Sequence, residues 1–394
     1  MTSQTATQPR VVPTPFHSRT SAACKTNLWA RWAGYTTVDI YENVELEYFA
    51  IRNSATLFDV SPMTKYRISG PDAGRYLNRL VTRDLSKLSP GRVTYAAWCD
   101  DAGHVLDDGT IFRLGEQDYR LCSQERHLPW LTDSAIGFDV TIEDETEAVA
   151  GLALQGPTSC AVLKRMGLDG IERLRPFHMT EVDGALTVSR TGFTGDLGYE
   201  LWVEPGRAEE LWDRIVEAGA LHDLRPIGSR ALNMARIEAG FIQTNADFVA
   251  GEQALRGTRG RSPFELGLAW MVDFDKGHFN GRRALLAEKQ HGSRRCLVGL
   301  DIEGNKPADA ALIYHRKRTD VGHITSAMWS PTCKRNIALA SLKTPYGTDI
   351  TDDLWVEIYV LKELKWDKVM ARCKIVERPF YNPPRRWATP APDF

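Results

Sequence analysis

The sequence predicts an α+β fold that ends in a small β-domain, and three observations carry that reading. Strand–helix units recur in the first two thirds of the chain, a β-hairpin lies between them, and after about residue 290 turn-separated strands replace the helices. Taken in order, residues 1–12 are rich in Thr, Gln and Pro without a hydrophobic period and read as a mobile tail. Leu46, Phe49 and Ala50 recur at helical spacing, and Leu57-Phe58-Asp59-Val60 then changes to a strand-like run. Residues 65–70 alternate, Pro71-Asp72 offers a helix start, and Tyr76, Leu77 and Leu80 line one helical face before Pro90-Gly91. Residues 93–99 and 104–114 flank the turn Asp100-Asp101-Ala102-Gly103 as a hairpin, and residues 119–123 add a strand.

A second strand–helix unit starts at residue 151 and carries Ala161, Val162 and Leu163 on its helix. Residues 207–220, after the breaker pair Pro205-Gly206, form an amphipathic helix with Leu211, Ile215 and Ala218 on one face. Residues 227–240 form another that ends at glycine. Residues 296–302, 321–326, 337–342 and 354–360 then read as strands of a small barrel or sandwich. The expected division is a tail (1–12), an α+β region of two subdomains, one discontinuous (13–290), and a β-domain (291–394).

Composition narrows the chemistry. With 394 residues, 43% of them hydrophobic, the chain can bury more than one core. Lys plus Arg (49) nearly balance Asp plus Glu (51), so no global field points to nucleic acid or a membrane surface, and a small-molecule partner is expected. Seven scattered cysteines, none in a C-x-x-C pair, indicate neither a zinc site nor a disulfide framework. No apolar run reaches the roughly 18–20 residues of a membrane span. Residues 2–10 lack the apolar segment of a secretion signal, so cytoplasmic residence is expected.

Nucleotide fingerprints, the G-x-S-x-G elbow and H-E-x-x-H are all absent. Three polar segments remain. In Asp107-Asp108-Gly109, strand alternation sends the two carboxylates to opposite faces, so one at most enters a pocket; a solvated bulge is the alternative. Gly192, Gly195 and Gly198 allow tight turning or close approach to a ligand ahead of Glu200, unless the run is a plain loop. Arg236 and Glu238 are either a surface pair or a buried anchor for a substrate carboxylate.

Seven segments, in order across roughly residues 45–390, resemble the aminomethyltransferase (glycine-cleavage T-protein) superfamily. They are Phe58-Asp59-Val60-Ser61-Pro62-Met63, Leu106-Asp107-Asp108-Gly109, Leu154-Gln155-Gly156-Pro157, Arg190-Thr191-Gly192-Phe193-Thr194-Gly195, Gly198-Tyr199-Glu200, Arg236-Ile237-Glu238-Ala239-Gly240 and Thr325-Ser326-Ala327-Met328-Trp329-Ser330-Pro331. The resemblance implies a three-domain cloverleaf around a central tetrahydrofolate site, closed by a C-terminal β-barrel. It implies that Asp108 is the catalytic aspartate beside folate N5 and N10 and that Glu200 hydrogen-bonds the pterin. Met63, Tyr95, Phe193 and Trp270 would wall the folate rings, Arg236 would lie near the folate or donor, and Arg386 would match a C-terminal arginine.

One departure bears on the donor. T-proteins usually read Ala-Arg-Asp where this chain has Ala231-Leu232-Asn233, which is more similar to the folate domains of sarcosine- and dimethylglycine-oxidising flavoenzymes and to sulfoniopropionate demethylases. No flavin domain accompanies it. The expectation is therefore a demethylase that moves a methyl group from a sulfonium, quaternary ammonium or aryl methyl ether to tetrahydrofolate, without a lipoyl carrier protein. The alternatives are a glycine-cleavage aminomethyltransferase with a lipoyl carrier, and a non-catalytic folate-binding protein; the Lys-Gly-Cys motif of the latter is absent around residues 237–241. Trp29, Trp32, Tyr35, Tyr41 and Tyr48 offer faces for an onium donor, unless they pack against the body of the protein.

Overall fold

The structure is a computed structural model that describes residues 11–391. Most of the segment read as a tail, residues 1–10, lies outside the described residues. Its end is ordered: Val12–Pro13 pairs in parallel with Tyr35–Ile40, and Leu28–Trp32 completes a three-stranded sheet.

Val44–Asn53 forms the expected helix, started by Asn43, whose side chain accepts from Leu46 N at 3.0 Å and so satisfies one orphan donor of the first turn. The next strand, Thr56–Asp59, enters a six-stranded sheet ordered Met179–Val182, Leu186–Ser189, Gly198–Val203, Ala150–Gln155, Thr56–Asp59, Arg225–Pro226. Between Thr56–Asp59 and Ala150–Gln155 the chain builds a separate five-stranded sheet, ordered Arg92–Cys99, Val105–Gly115, Asp118–Ser123, Thr64–Ser69, Thr141–Asp144. The six-stranded sheet is thus discontinuous in sequence.

Each sheet buries one face under its own helices. Ser159–Arg165 and Ala208–Gly219 cover the six-stranded sheet through Val162, Leu163, Leu211 and Ile215. Ala73–Leu80 covers the five-stranded one through Tyr76, Leu77 and Leu80. Between the two sheets, Phe58, Ala153 and Trp202 meet Phe112 and Cys122 in a shared core, where burying a side chain such as Phe112 stabilises by roughly 1.5–3 kcal/mol. The helix Ser229–Glu238 seats Ala231 and Ala235 on that core.

Six strands, Arg295–Ile302, Leu312–His315, Thr319–Ser330, Arg335–Lys343, Leu354–Lys362 and Lys365–Val376, close into a barrel rather than a sandwich, which leaves no free sheet edge. Leu300, Ile313, Ile324, Leu342 and Val356 fill it. A buried ionic network ties it to the rest. Arg52 donates to Glu238 Oε2 (2.7 and 3.0 Å) and to Asp196 (3.3 Å), while Glu238 Oε1 also accepts from Tyr48 and from Ser330 of the barrel, at 2.5 Å each. No helix among the described residues is long and apolar enough to cross a membrane.

Candidate active site

Asp107 and Asp108 lie side by side on Val105–Gly115, opposite Trp98 and Ala97 of the neighbouring strand. The two side chains leave the sheet on opposite faces, as strand geometry requires. Gly109 follows because a Cβ there would stand 1.9 Å from the Cys122 carbonyl oxygen, a distance no side chain tolerates. Asp108 faces a cavity of about 1230 Å³. Tyr95, on the adjacent strand and the same face, donates its hydroxyl to Asp108 Oδ2 at 2.5 Å. Burial first, and the charge of Asp107 second, push the Asp108 carboxyl up to about 7, against hydrogen bonds from Tyr95 and Thr244 that favour the ionised form. Asp107 is fully buried on the other face, so the solvated-bulge alternative is excluded.

Glu200 reaches the same cavity from Gly198–Val203, where it is paired with Ala153 and Ser189 in the six-stranded sheet. Thr191 donates to its Oε2 at 2.5 Å, and Oε1 has no hydrogen-bond partner among the described residues. Burial pushes this carboxyl up to about 7 despite the Thr191 bond, which lowers it. The glycine-rich run before it is shaped by packing: Gly195 has φ 71°, and a Cβ there would meet that of Ala239 at 2.4 Å. Gln155 fixes the run by donating to the Thr191 and Tyr199 carbonyls, both at 3.2 Å, and accepting from the Thr194 hydroxyl at 2.9 Å.

Apolar and aromatic groups wall the space between the two acids. Phe193 stacks on Phe241 (5.4 Å, 22°), and the Arg386 guanidinium lies 5.0 Å from the Phe241 ring. Trp270, 63% exposed at the mouth, stacks on Tyr95 (6.3 Å, 30°) under the guanidinium of Arg83 (5.2 Å). Met63 lines the floor, its turn held by buried Lys65, which donates to the carbonyls of Ser61 (2.8 Å) and Met63 (2.7 Å). Burial brings the Lys65 amine down to about 8. All eight residues that the resemblance assigned to the site therefore border one cavity.

Their roles divide differently from expectation. Arg236 and Glu238 form no surface pair with each other, since both are buried and bond elsewhere. Arg236 engages four of its five N–H donors inside the protein: Asn233 (2.8 Å), the Phe241 carbonyl (3.1 Å), Asp247 and Ser326 (2.7 Å). It is a strut between helix, loop and barrel more than an open anchor for a substrate carboxylate. Of the two neighbouring arginines near the C-terminus, Arg385 is consumed by Asp196 (2.6 and 2.8 Å), whereas Arg386 forms no ion pair among the described residues. The aromatic cluster is mostly packing: Tyr35, Tyr41 and Tyr48 are core, Trp29 lies against His17 (5.3 Å), and only Trp32 of the five borders the cavity. Sequence reasoning gave Thr191 no role although its segment was quoted, and it missed Thr244, Asp247 and His127, whose partners lie between 20 and 137 residues away. Local spacing carries no signal for them.

The cavity suits the folate implied by the sequence. An unpartnered carboxylate oxygen at Glu200 is the acceptor that the pterin's N–H edge requires, and flat apolar walls match the pterin and aminobenzoyl rings. Comparison with known proteins agrees. Residues 16–276 match the GCVT N-terminal domain, and residues 295–382 match the glycine cleavage T-protein C-terminal barrel domain. An aminomethyltransferase of Caldanaerobacter subterraneus subsp. tengcongensis is 33% identical over 324 residues, 80% of this chain and 84% of that protein. A trimethylamine-oxide aldolase of Ruegeria pomeroyi is 36% identical over 310 residues, 75% of this chain and 38% of that protein. The fold matches that of glycine cleavage system aminomethyltransferase T from Bartonella henselae with a TM-score of 0.83 at 24% identity, covering 94% of this chain and 98% of that one. Matched in order along both its α+β region and its barrel, the chain belongs to the aminomethyltransferase (glycine-cleavage T-protein) family of tetrahydrofolate-dependent one-carbon transferases.

Proposed function

We propose that the chain moves an aminomethyl-derived one-carbon unit onto tetrahydrofolate, with the pterin edge on Glu200 and the reacting nitrogens beside Asp108. One observation carries this reading: two carboxyl groups of raised proton affinity, Glu200 buried and Asp108 partly buried, face a single cavity from two different sheets. At about 1230 Å³ that cavity exceeds the roughly 300–1,000 Å³ of ordinary ligand pockets, leaving room for a second reactant. Bound tetrahydrofolate supplies N5 and N10, the atoms that receive the carbon. Asp108 accepts the proton that those nitrogens must lose, Tyr95 fixes its carboxylate, and Glu200 holds the pterin without competing for the carbon.

The donor reading shifts from the one that Ala231-Leu232-Asn233 suggested. Relatives matched over most of their length carry the name aminomethyltransferase, which supports an aminomethyl group delivered on a lipoyl carrier protein and removes the ground for setting such a carrier aside. Transfer from a small methylated donor stands second, favoured by an uncharged Leu232 and by Trp32 and Phe58 on the cavity wall. Incubating the protein with tetrahydrofolate and either an aminomethyl-loaded lipoyl carrier protein or a panel of sulfonium, betaine and methoxyaryl compounds separates the two. Methylenetetrahydrofolate with ammonia is the expected product. Methyltetrahydrofolate from a small donor would replace this reading by the second, and no folate product from either would overturn both.

A further inference from the structure

Behind Asp108 a second line of polar groups leads away from the cavity to the surface. The two oxygens of Asp107 accept four hydrogen bonds: on Oδ1 from the Thr244 hydroxyl (2.5 Å) and Asp108 N (2.9 Å), and on Oδ2 from Glu125 N (3.1 Å) and His127 Nε2 (3.0 Å). The Thr244 hydroxyl also lies 3.5 Å from Asp108 Oδ1, so it bridges the two layers. His127 is buried just ahead of the helix Leu128–Ser134, edge-on to Trp98 (5.7 Å, 86°), and turns Nδ1 to Glu252 Oε1 at 3.2 Å. The Glu252 side chain is 44% exposed.

Both ring nitrogens of His127 thus face carboxylate oxygens. A neutral imidazole carries one N–H and one bare lone pair, so it would oppose a lone pair to one of the two acids; only the imidazolium donates to both. Burial works against that charge, but the hydrogen bond and charge of Asp107, then those of Glu252, outweigh it and raise the ring's proton affinity above the ordinary value. Without a cation beside it, the charge of Asp107 would bear undiminished on Asp108.

We propose that His127 is a positioning residue of this centre: clamped as an imidazolium between Asp107 and Glu252, it sets a cation against Asp107 behind Asp108 and so sets how readily Asp108 releases its proton. The other groups facing Asp108 are the Tyr95 hydroxyl and Asp247, and Asp247 is itself paired with Arg236. None of these is altered by the substitutions that test the idea.

The inference rests on the reading of Asp108 as proton acceptor, and the two can fail separately. With tetrahydrofolate and aminomethyl-loaded lipoyl carrier protein as substrates, kcat/KM should fall on the acid side with a limb near pH 7. His127→Gln should move that limb to higher pH and Asp107→Asn to lower pH, by about one unit each, because one removes a compensating cation and the other a like charge. A structural role would lower the melting temperature of both variants and leave the limb in place, which would overturn the inference. Because Glu200 also ionises near 7, the role of Asp108 is read in kcat at saturating tetrahydrofolate, where Glu200 is already paired with the pterin: an acid limb of kcat that persists in Asp108→Asn would instead overturn that role. If His127→Gln does not fold, 15N-labelled histidine in the wild-type protein gives the answer without turnover. The ring whose resonances respond to Glu252→Gln, at the exposed end of the line, should keep both protons to higher pH than an ordinary histidine does. A ring that is neutral at pH 7 would overturn the inference.

Discussion

Glu200 is held between Thr191 and the shared core of the two sheets, where its ionised form is poorly solvated. Its folded value near 7 lies above the roughly 4.3 of an unfolded glutamate, so its contribution to stability is fully present below about pH 4 and is lost as pH rises through about 7. Glutamine is neutral throughout. In the folate-free protein, the stability of Glu200→Gln relative to wild type should therefore increase between pH 5 and pH 8, by roughly 2–3 kcal/mol, read from thermal or urea melts at each pH. A constant difference would mean that Glu200 ionises at its ordinary value. The same residue should matter to the ligand: Glu200→Ala should weaken tetrahydrofolate binding by roughly 1.5–3 kcal/mol, the worth of a charge-assisted hydrogen bond. At Asp108 the division is reversed. Asp108→Asn keeps the shape that Tyr95 holds, so folate binding should persist while turnover falls by about 10²-fold or more.

Among the elements, the helix Ser229–Glu238 carries the heaviest structural duty, because its last turn sends Arg236 to Asp247 and Glu238 to Arg52. Glu238 joins three parts of the molecule through Arg52, Tyr48 and Ser330, all in a region with almost no solvent. Removing one partner from such a network leaves an uncompensated buried charge, so Glu238→Gln should destabilise the protein by roughly 3–5 kcal/mol. Equal denaturation midpoints for variant and wild type would show that Arg52 finds enough compensation in Asp196 alone. Periodicity revealed this helix and its neighbours because each hides one stripe of side chains, as Leu211 and Ile215 do on Ala208–Gly219. It did not reveal Leu28–Trp32 and Tyr35–Ile40, where a register shift at Leu28/Trp29 breaks the alternation and the third strand comes from Val12–Pro13. The candidate site shows the same limit. Strand context narrowed Asp107-Asp108 to one pocket-facing carboxylate without saying which, and the resemblance named Asp108 and Glu200; the partners that set their proton affinity arrive through long-range pairing, as when Thr244 meets Asp107 137 residues away.

At the scale of the whole molecule, the cavity is an assembly product: one wall comes from each sheet, one from the loop after Ser229–Glu238, and the last from the segment that follows the barrel. The start of that segment still holds to the barrel through Arg378, which donates to the Leu297 carbonyl (3.2 Å), and Phe380, but its end is fixed to the six-stranded sheet's lobe. Arg190 donates to the carbonyls of Arg386 (3.3 Å) and Ala388 (2.5 Å), and Arg385 grips Asp196. The final barrel strand, Lys365–Val376, ends before any of these contacts. A chain stopped after Asn382 should therefore retain the barrel and both sheets while losing Arg386 and Trp387 from the cavity wall and Arg385 from Asp196. Tetrahydrofolate affinity should fall at least tenfold, about 1.4 kcal/mol, with the β-sheet circular dichroism preserved. The melting temperature should drop as well, since Asp196 would keep only Arg52 as a buried counter-charge. Restoring Arg385 alone, in a chain stopped after Arg385, should recover much of the melting temperature and little of the affinity. Full folate affinity in the shorter chain would show that the C-terminal wall closes the cavity without contributing to the ligand.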